Sequence, residues 1–246
     1  MGDPKLFGAK LMIQHDNYYG TRFEAQAGIS FFGAVGVTAG IRYWEKDPDG
    51  LFRDGWSVNA GVHFAGGTVR IEASYNFRYK EIKAGLLFGI GEHARINVGF
   101  SYSAVRGEFG FNCGLQLGNT EIGFNYKRGY AGTYDKASDR WTFDKNSTTT
   151  TYGFNVGTVT DGGQRVSFGY NRSETVWRDN NGRVLCRDTS NGFNVGYNSG
   201  AQGAETVSIG YRTGKRLYYN AGGDVVATTN TGGLIEIGRA SCRERV

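Results

Sequence analysis

The densest run of chemically capable residues is Gln14-His15-Asp16-Asn17-Tyr18-Tyr19-Gly20. An imidazole, a carboxylate and an amide in succession could activate a water and hold an oxyanion. His15, Asp16 and Asn17 are therefore the candidate catalytic residues. The same string also reads as a polar turn, because Asn and Gly are turn formers, and that reading carries more weight. Of the other two histidines, His63 falls on a polar strand face as a wall residue, and His93 falls in a tight turn. Cys113, Cys186 and Cys242 form no CxxC pair, so neither a zinc site nor a disulfide framework is expected. The Gly-rich string from Gly33 to Gly40 is not followed by a helical pattern, so it is not a nucleotide-binding fingerprint. No metal or cofactor is expected.

The elements that would carry these residues are strands. Phe23, Ala25, Ala27, Ile29 and Phe31 alternate with Arg22, Glu24, Gln26, Gly28 and Ser30, and the same period of two recurs from end to end. Strands are predicted at 5–14, 22–31, 34–44, 56–64, 68–80, 81–89, 94–104, 107–117, 119–127, 150–159, 164–172, 191–199 and 204–213. Gly is abundant, at 40 residues, and no 3.6-residue stripe appears, which argues against helix. Most connections are short. Four are predicted to be long, at 45–55, 128–149, 173–190 and about 214–230, all at one end of an up-and-down meander. Short turns at one end and long loops at the other are the habit of outer-membrane barrels. The expected fold is all-β: an up-and-down antiparallel meander of about twelve or more strands, closing as a transmembrane β-barrel.

The alternation assigns two surfaces. The inward, lumen-lining set comprises Arg22, Glu24, Arg42, His63, Arg70, Glu72, Arg78, Lys83, Arg95, Glu108, Glu121, Lys127, Arg165 and Arg212. Mixed charges of this kind suit either a plugged interior or a mildly anion-favouring pore. On the apolar side, the strand ends facing the long connections carry Tyr43, Trp56, Tyr79, Tyr102, Phe109, Tyr126, Tyr152, Tyr170, Phe193 and Tyr211. Such a ring belongs at a lipid–water boundary, where an aromatic body is buried and its polar atom stays wet. The competing arrangement is a soluble sheet with one face on a core. It is disfavoured because the polar face holds Gly, Asn and Ser, and because a barrel of twelve or more strands is too wide to fill with apolar side chains.

The chain has 246 residues and no 18-residue apolar run, so no transmembrane helix is expected. Its last ten residues, 237–246 (IGRASCRERV), read like translated sequencing-adapter sequence. The expected organisation is thus one β domain over 1–236 followed by a non-native tail. Setting that tail aside lowers the formal charge from +5 to +3, and nucleic acid is not an expected partner. No charged-then-apolar leader is visible at the start of the sequence, although an outer-membrane location calls for one.

The strand texture, as in Gly192–Tyr197 (GFNVGY) and Ser167–Arg172 (SFGYNR), resembles Gram-negative outer-membrane β-barrels. More specifically it is similar to the outer-membrane lipid A deacylase family, with Asp16-Asn17 as the point of contact with a functional motif. It is also similar to bacteroidete polymorphic-toxin C-terminal domains of type 23. The first likeness implies an outer-membrane location, with a porin-like or structural role. The second implies a lipid-modifying hydrolase acting at the outer rim through His15, Asp16 and Asn17. The third implies a secreted module whose sheet folds in water. The passive role is the leading expectation, with the lipid bilayer as partner and small polar solutes or lipopolysaccharide as further ligands.

Overall fold

The computed structural model describes residues 7–16, 20–31, 34–46, 55–64, 68–90, 93–135, 140–160, 163–199 and 205–241. Fourteen strands follow one another in chain order and form an antiparallel up-and-down meander. They are β1 (Phe7–Asp16), β2 (Gly20–Phe31), β3 (Val35–Trp44), β4 (Gly55–Phe64), β5 (Val69–Asn76), β6 (Glu81–Ile90), β7 (Ala94–Ser103), β8 (Glu108–Leu117), β9 (Thr120–Asp135), β10 (Arg140–Val159), β11 (Arg165–Arg178), β12 (Val184–Asn198), β13 (Glu205–Tyr219) and β14 (Val225–Ser241). The all-β meander is the expected one. Its strands divide between two compact units, 1–111 with 132–143 and 112–131 with 144–246.

In the first unit the strands run 8 to 12 residues from β1 to β7. Their register stacks the apolar face into rows. Phe23, Tyr43 and Trp56 are partners in one row. Two residues further along, Ala25, Ile41, Val58, Tyr75, Ile82 and Tyr102 form the next. The third row is Ala9, Ala27, Ala39, Ala60, Ala73 and Ala84, one methyl per strand across six strands. Beyond it come Ile29, Val37, Val62, Ile71, Leu86 and Val98, then Phe31, Val35, Phe64, Val69, Phe88 and Ile96. A one-residue slip anywhere would turn an entire strand inside out.

The second unit departs from expectation. β9, β11, β12 and β13 run 14 to 16 residues, β14 runs 17 and β10 runs 20. Three of the four segments expected to be long loops are therefore largely paired hairpin. β9 extends to Asp135 and β10 begins at Arg140; β11 extends to Arg178 and β12 begins at Val184; β13 extends to Tyr219 and β14 begins at Val225. The reason is threonine and serine. The stretch Thr148–Thr151 and its partners Ser173 and Thr175 are polar on both faces, which hides the alternation. Yet β-branched Thr favours extended backbone, and the hydroxyls pair across strands, Thr149 with Thr175 at 3.0 Å and Thr151 with Ser173 at 3.2 Å. β14 also includes Ile237–Ser241, with Ser208 opposite Ile237 and Glu205 opposite Ser241.

Three hairpins share one turn. In Asp179–Arg183 the first residue donates its N–H to the carbonyl of the last and accepts at its own carbonyl from Gly182, and the Asp179 carboxylate accepts from the N–H groups of Asn181 and Arg183 at 2.8 and 2.9 Å. Asn220–Asp224 and Thr160–Gln164 repeat the pattern with Asn220 and Thr160 as side-chain acceptors. Gly182, Gly223 and Gly163, at φ 81°, 89° and 77°, occupy the left-handed position that closes each turn.

Little of either unit is core. Among the described residues the buried apolar side chains are Tyr79 and Val176, while 40 large apolar side chains stand exposed, Leu11 at 69% and Ile209 at 55% among them.

Candidate functional site

The polar face of the first unit carries the charged residues that sequence reasoning assigned inward. Register places Met12, Glu24, Arg42, Ser57, Asn76, Glu81 and Ser103 in one row. Opposite charges meet across and along strands: Lys10 with Glu24 at 3.1 Å, Lys83 with Glu81 at 3.2 Å, Arg70 with Glu72 at 3.5 Å and Arg106 with Glu108 at 4.0 Å. Arg95 stands opposite Gly89 on β6. His63 stands opposite Gly36, where its ring fills the space a β-carbon would need.

A cluster that the sequence reading did not single out sits at one end of this face. Trp44 has two guanidinium groups against its ring, with the Arg22 carbon 4.9 Å and the Arg42 carbon 4.2 Å from its centroid. Arg42 Nε also donates to Ser57 Oγ at 3.1 Å. The available signal was parity. Trp44 follows Tyr43, so a strand that puts Tyr43 on the apolar face puts Trp44 on the polar one, where an indole needs cationic company.

Two expected positions move. Arg78 and Tyr79 were assigned to a strand over 68–80, Arg78 as lumen-lining and Tyr79 as a boundary aromatic. β5 ends at Asn76, and 77–80 is a turn. Asn76 Oδ1 accepts from Tyr79 N–H at 3.1 Å, and Lys80 takes φ 47°. The side-chain acceptor bends the chain out of the ladder. Tyr79 is thereby buried to 5% exposure beneath the Arg106 guanidinium, 3.9 Å from its ring centroid, and Ser103 Oγ donates to its carbonyl at 2.7 Å. Phe77 takes the exposed position instead.

The candidate catalytic string is only partly described. His15 is exposed, and its Nδ1 lies 3.1 Å from Thr21 Oγ1. Asp16 pairs through its backbone with Gly20. Asn17 lies outside the described residues. Among the described residues no three His, Cys, Asp or Glu side chains converge as metal ligands.

The polar face of the second unit is mostly neutral. Glu121 and Arg165 pair at 2.9 Å, and Asp188 accepts from Arg216 Nε at 3.1 Å. Lys127 lies on β9, and Arg212 stands opposite Gly192. Between these charges the wall is a checkerboard of Asn and Gly. Asn155 stands opposite Gly169, Gly169 opposite Asn194, and Asn194 opposite Gly210; in the adjoining row Gly153, Asn171 and Gly192 alternate the other way. The carboxamides of Asn155, Asn194, Asn171 and Asn125 lie over Gly123, Gly169, Gly192 and Gly153 respectively, each filling the site of the missing β-carbon. These four amides make no side-chain hydrogen bond with the other described residues and are exposed. The repeated Gly-aromatic-Asn triplet was the signal: its middle residue faces outward while its ends pave the polar wall.

The aromatics of the apolar face pack in local groups within each unit. Tyr43 and Trp56 lie 5.0 Å apart by ring centroid, Phe23 and Trp56 6.2 Å, Tyr170 and Phe193 4.9 Å. Trp56, Tyr102, Phe109, Tyr152, Phe193 and Tyr211 are exposed, whereas Tyr126 is half-buried. Tyr170 sends its hydroxyl to Asn191 Oδ1 at 3.1 Å, away from the apolar rows.

The chain aligns with outer-membrane proteins. One is OmpT of Vibrio cholerae, folded in vitro, at 10% identity and a TM-score of 0.43, covering 93% of this chain and 94% of that one. Another is the trimer form of the same protein, at 12% identity and a TM-score of 0.43, covering 93% of each. No protein-family model matches the chain, and no curated protein does.

In the extended hairpins, burial pushes the Cys186 thiol above its ordinary range, with Asp188 adding to the rise and Arg216 opposing it. The hydrogen bonds that Arg216 donates to Asp188 hold its guanidinium above the ordinary range. Cys113 and Cys186 are both free thiols.

Proposed function

We propose that this chain is a bacterial outer-membrane β-barrel, porin-like or structural, whose apolar rows face lipid and whose polar rows face an aqueous interior. One observation carries the reading: 40 large apolar side chains, concentrated on one face of the strands, stand exposed with no second layer over them among the described residues. Burying one such side chain is worth about 1.5–3 kcal/mol, and lipid is the medium that supplies that gain to a face with no protein partner. The rows have the right height. Five rows in the first unit span four steps of two residues, about 27 Å along the strand or about 20 Å at a tilt near 40°, against an apolar band about 25 Å tall. The wall opposite holds ion pairs in the first unit and free amides in the second, which suits small polar solutes better than a single ionic species.

The test is reconstitution. Protein folded into phosphatidylcholine vesicles should float with the lipid and migrate faster on gels unheated than heated. In a planar bilayer the porin-like form gives stepwise ionic conductance and the structural form none. Protein that stays monomeric and dispersed without detergent, with its apolar rows inaccessible to lipid-phase quenchers, would defeat the membrane assignment.

A further inference from the structure

Beyond the aromatic row of the second unit, the outward face turns from apolar to cationic within one step. Tyr170, Phe193 and Tyr211 are register partners. The next row reads Arg172, Asn191 and Thr213, and the one after it Glu174, Thr189 and Lys215. A depression there is lined by Arg172, Lys215, Asn191, Thr189, Thr213 and Asn230, with Tyr211 at its lower edge. Glu174 is held by Arg187 at 3.2 Å, so its charge is already answered. Arg172 and Lys215 have no ion-pair or hydrogen-bond partner among the described residues. Two unanswered cations, ringed by amides and hydroxyls, sit directly above side chains that would lie in hydrocarbon.

We propose that this depression holds the phosphorylated sugar headgroup of a glycolipid in the leaflet at the extended-hairpin end. Arg172 and Lys215 bind the phosphate, with the guanidinium donating in its plane and the ammonium as a point charge. Asn191, Thr189, Thr213 and Asn230 supply donors and acceptors for sugar hydroxyls. The acyl chains run down over Tyr170, Phe193, Tyr211 and the apolar row below, Phe168, Val195 and Ile209. Continuity of the charged depression with the apolar rows selects a lipid over a free anion. The proposal rests on the transmembrane reading.

The experiment uses the whole chain in phosphatidylcholine vesicles containing a few per cent of a diphosphorylated glucosamine glycolipid, or the same glycolipid dephosphorylated. Bound glycolipid is counted after extraction in mild detergent. Wild type should retain the phosphorylated form. Arg172→Gln with Lys215→Gln should weaken retention roughly thirtyfold, since each cation near a charged headgroup contributes about fivefold. Arg172→Lys with Lys215→Arg should restore most of it. The dephosphorylated glycolipid should be retained no better than phosphatidylcholine, and inorganic phosphate at the same concentration should not displace the lipid. Equal retention by wild type and the double Gln variant, or of both glycolipids, overturns the site while leaving the barrel standing, provided both proteins insert and shift on heating. Displacement by inorganic phosphate overturns the lipid assignment. Failure of wild type to insert overturns the site together with the membrane reading.

Discussion

The two faces of β4 allow a test in which neighbouring residues should behave oppositely. Ala60 and Asn59 are consecutive, at nearly the same height, on the apolar and polar faces. Both are exposed, so an arginine at either position has room and any penalty reports solvation rather than overlap. Ala60 lies in the third of five apolar rows, two steps from Trp56 and two from Phe64, which is the middle of the apolar band. An arginine at the bilayer midplane costs about 2–4 kcal/mol, falling to about 0–1 kcal/mol near the interface. Ala60→Arg should therefore lower the folding free energy in vesicles by about 2–4 kcal/mol, roughly thirtyfold to several hundredfold in the equilibrium constant. Asn59→Arg should change it by less than about 1 kcal/mol, because the proposed aqueous interior would solvate the charge. Trp56→Arg, at the edge row, loses aromatic packing as well, so the edge control is Thr21→Arg beyond Phe23, measured against Thr21→Val, which also lacks the hydroxyl contact with His15, and its penalty should be about 0–1 kcal/mol. Urea titration of folded protein in short-chain phosphatidylcholine vesicles, followed by tryptophan emission, measures all three. Equal penalties at Ala60 and Asn59, or one that does not fall from Ala60 to Thr21, would refute lipid on the apolar face.

Other expectations follow from local geometry. A methyl at Gly169 would run into the Asn194 carboxamide; Gly169→Ala should destabilise by about 1 kcal/mol, and Asn194→Gly in the same chain should recover most of that in a double-mutant cycle. Arg106→Ala removes the cation over the buried Tyr79 ring and should cost about 0.5–2 kcal/mol, with Arg106→Lys intermediate. The raised Cys186 pKa means less thiolate at a given pH, so iodoacetamide should modify it more slowly than free cysteine at pH 8.5 and catch up as pH rises. Arg216 opposes that rise, so Arg216→Gln should slow the reaction further and Asp188→Asn should speed it; Cys113→Ser together with Cys242→Ser isolates the signal.

Where one face differs from the other, the strands were legible. In β2 the contrast between Phe23, Ala25 and Ile29 and Arg22, Glu24 and Gln26 locates the element to within two residues. Legibility failed where both faces are polar. Thr148 and Thr149 and the segment from Asp188 to Ser190 carry no period of two, yet they lie within β10 and β12. β14 was missed for the same reason, since Thr228–Gly233 gives neither face an apolar row. Tyr79 was misplaced because alternation cannot see a hydrogen bond: Asn76 looks like one more polar strand residue until its carboxamide is found ending the strand. Parity alone put Glu24 and Arg42 on one strand face, where they are register partners. The Trp44 cluster and the asparagine paving needed cross-strand register, which links residues such as Asn155 and Gly169 that no local window joins.

Extending the hairpins as paired ladders has a mechanical consequence. From Tyr170 to Arg178, β11 continues about 27 Å along its own axis beyond the aromatic row, braced by Asn146 donating to Asn180 at 3.0 Å from the neighbouring hairpin. Such a ridge resists sideways force as a plank does. A foreign epitope spliced between Asn180 and Asn181 would be displayed on a stiff mast at a set distance from the aromatic row, and antibodies should meet it in one orientation.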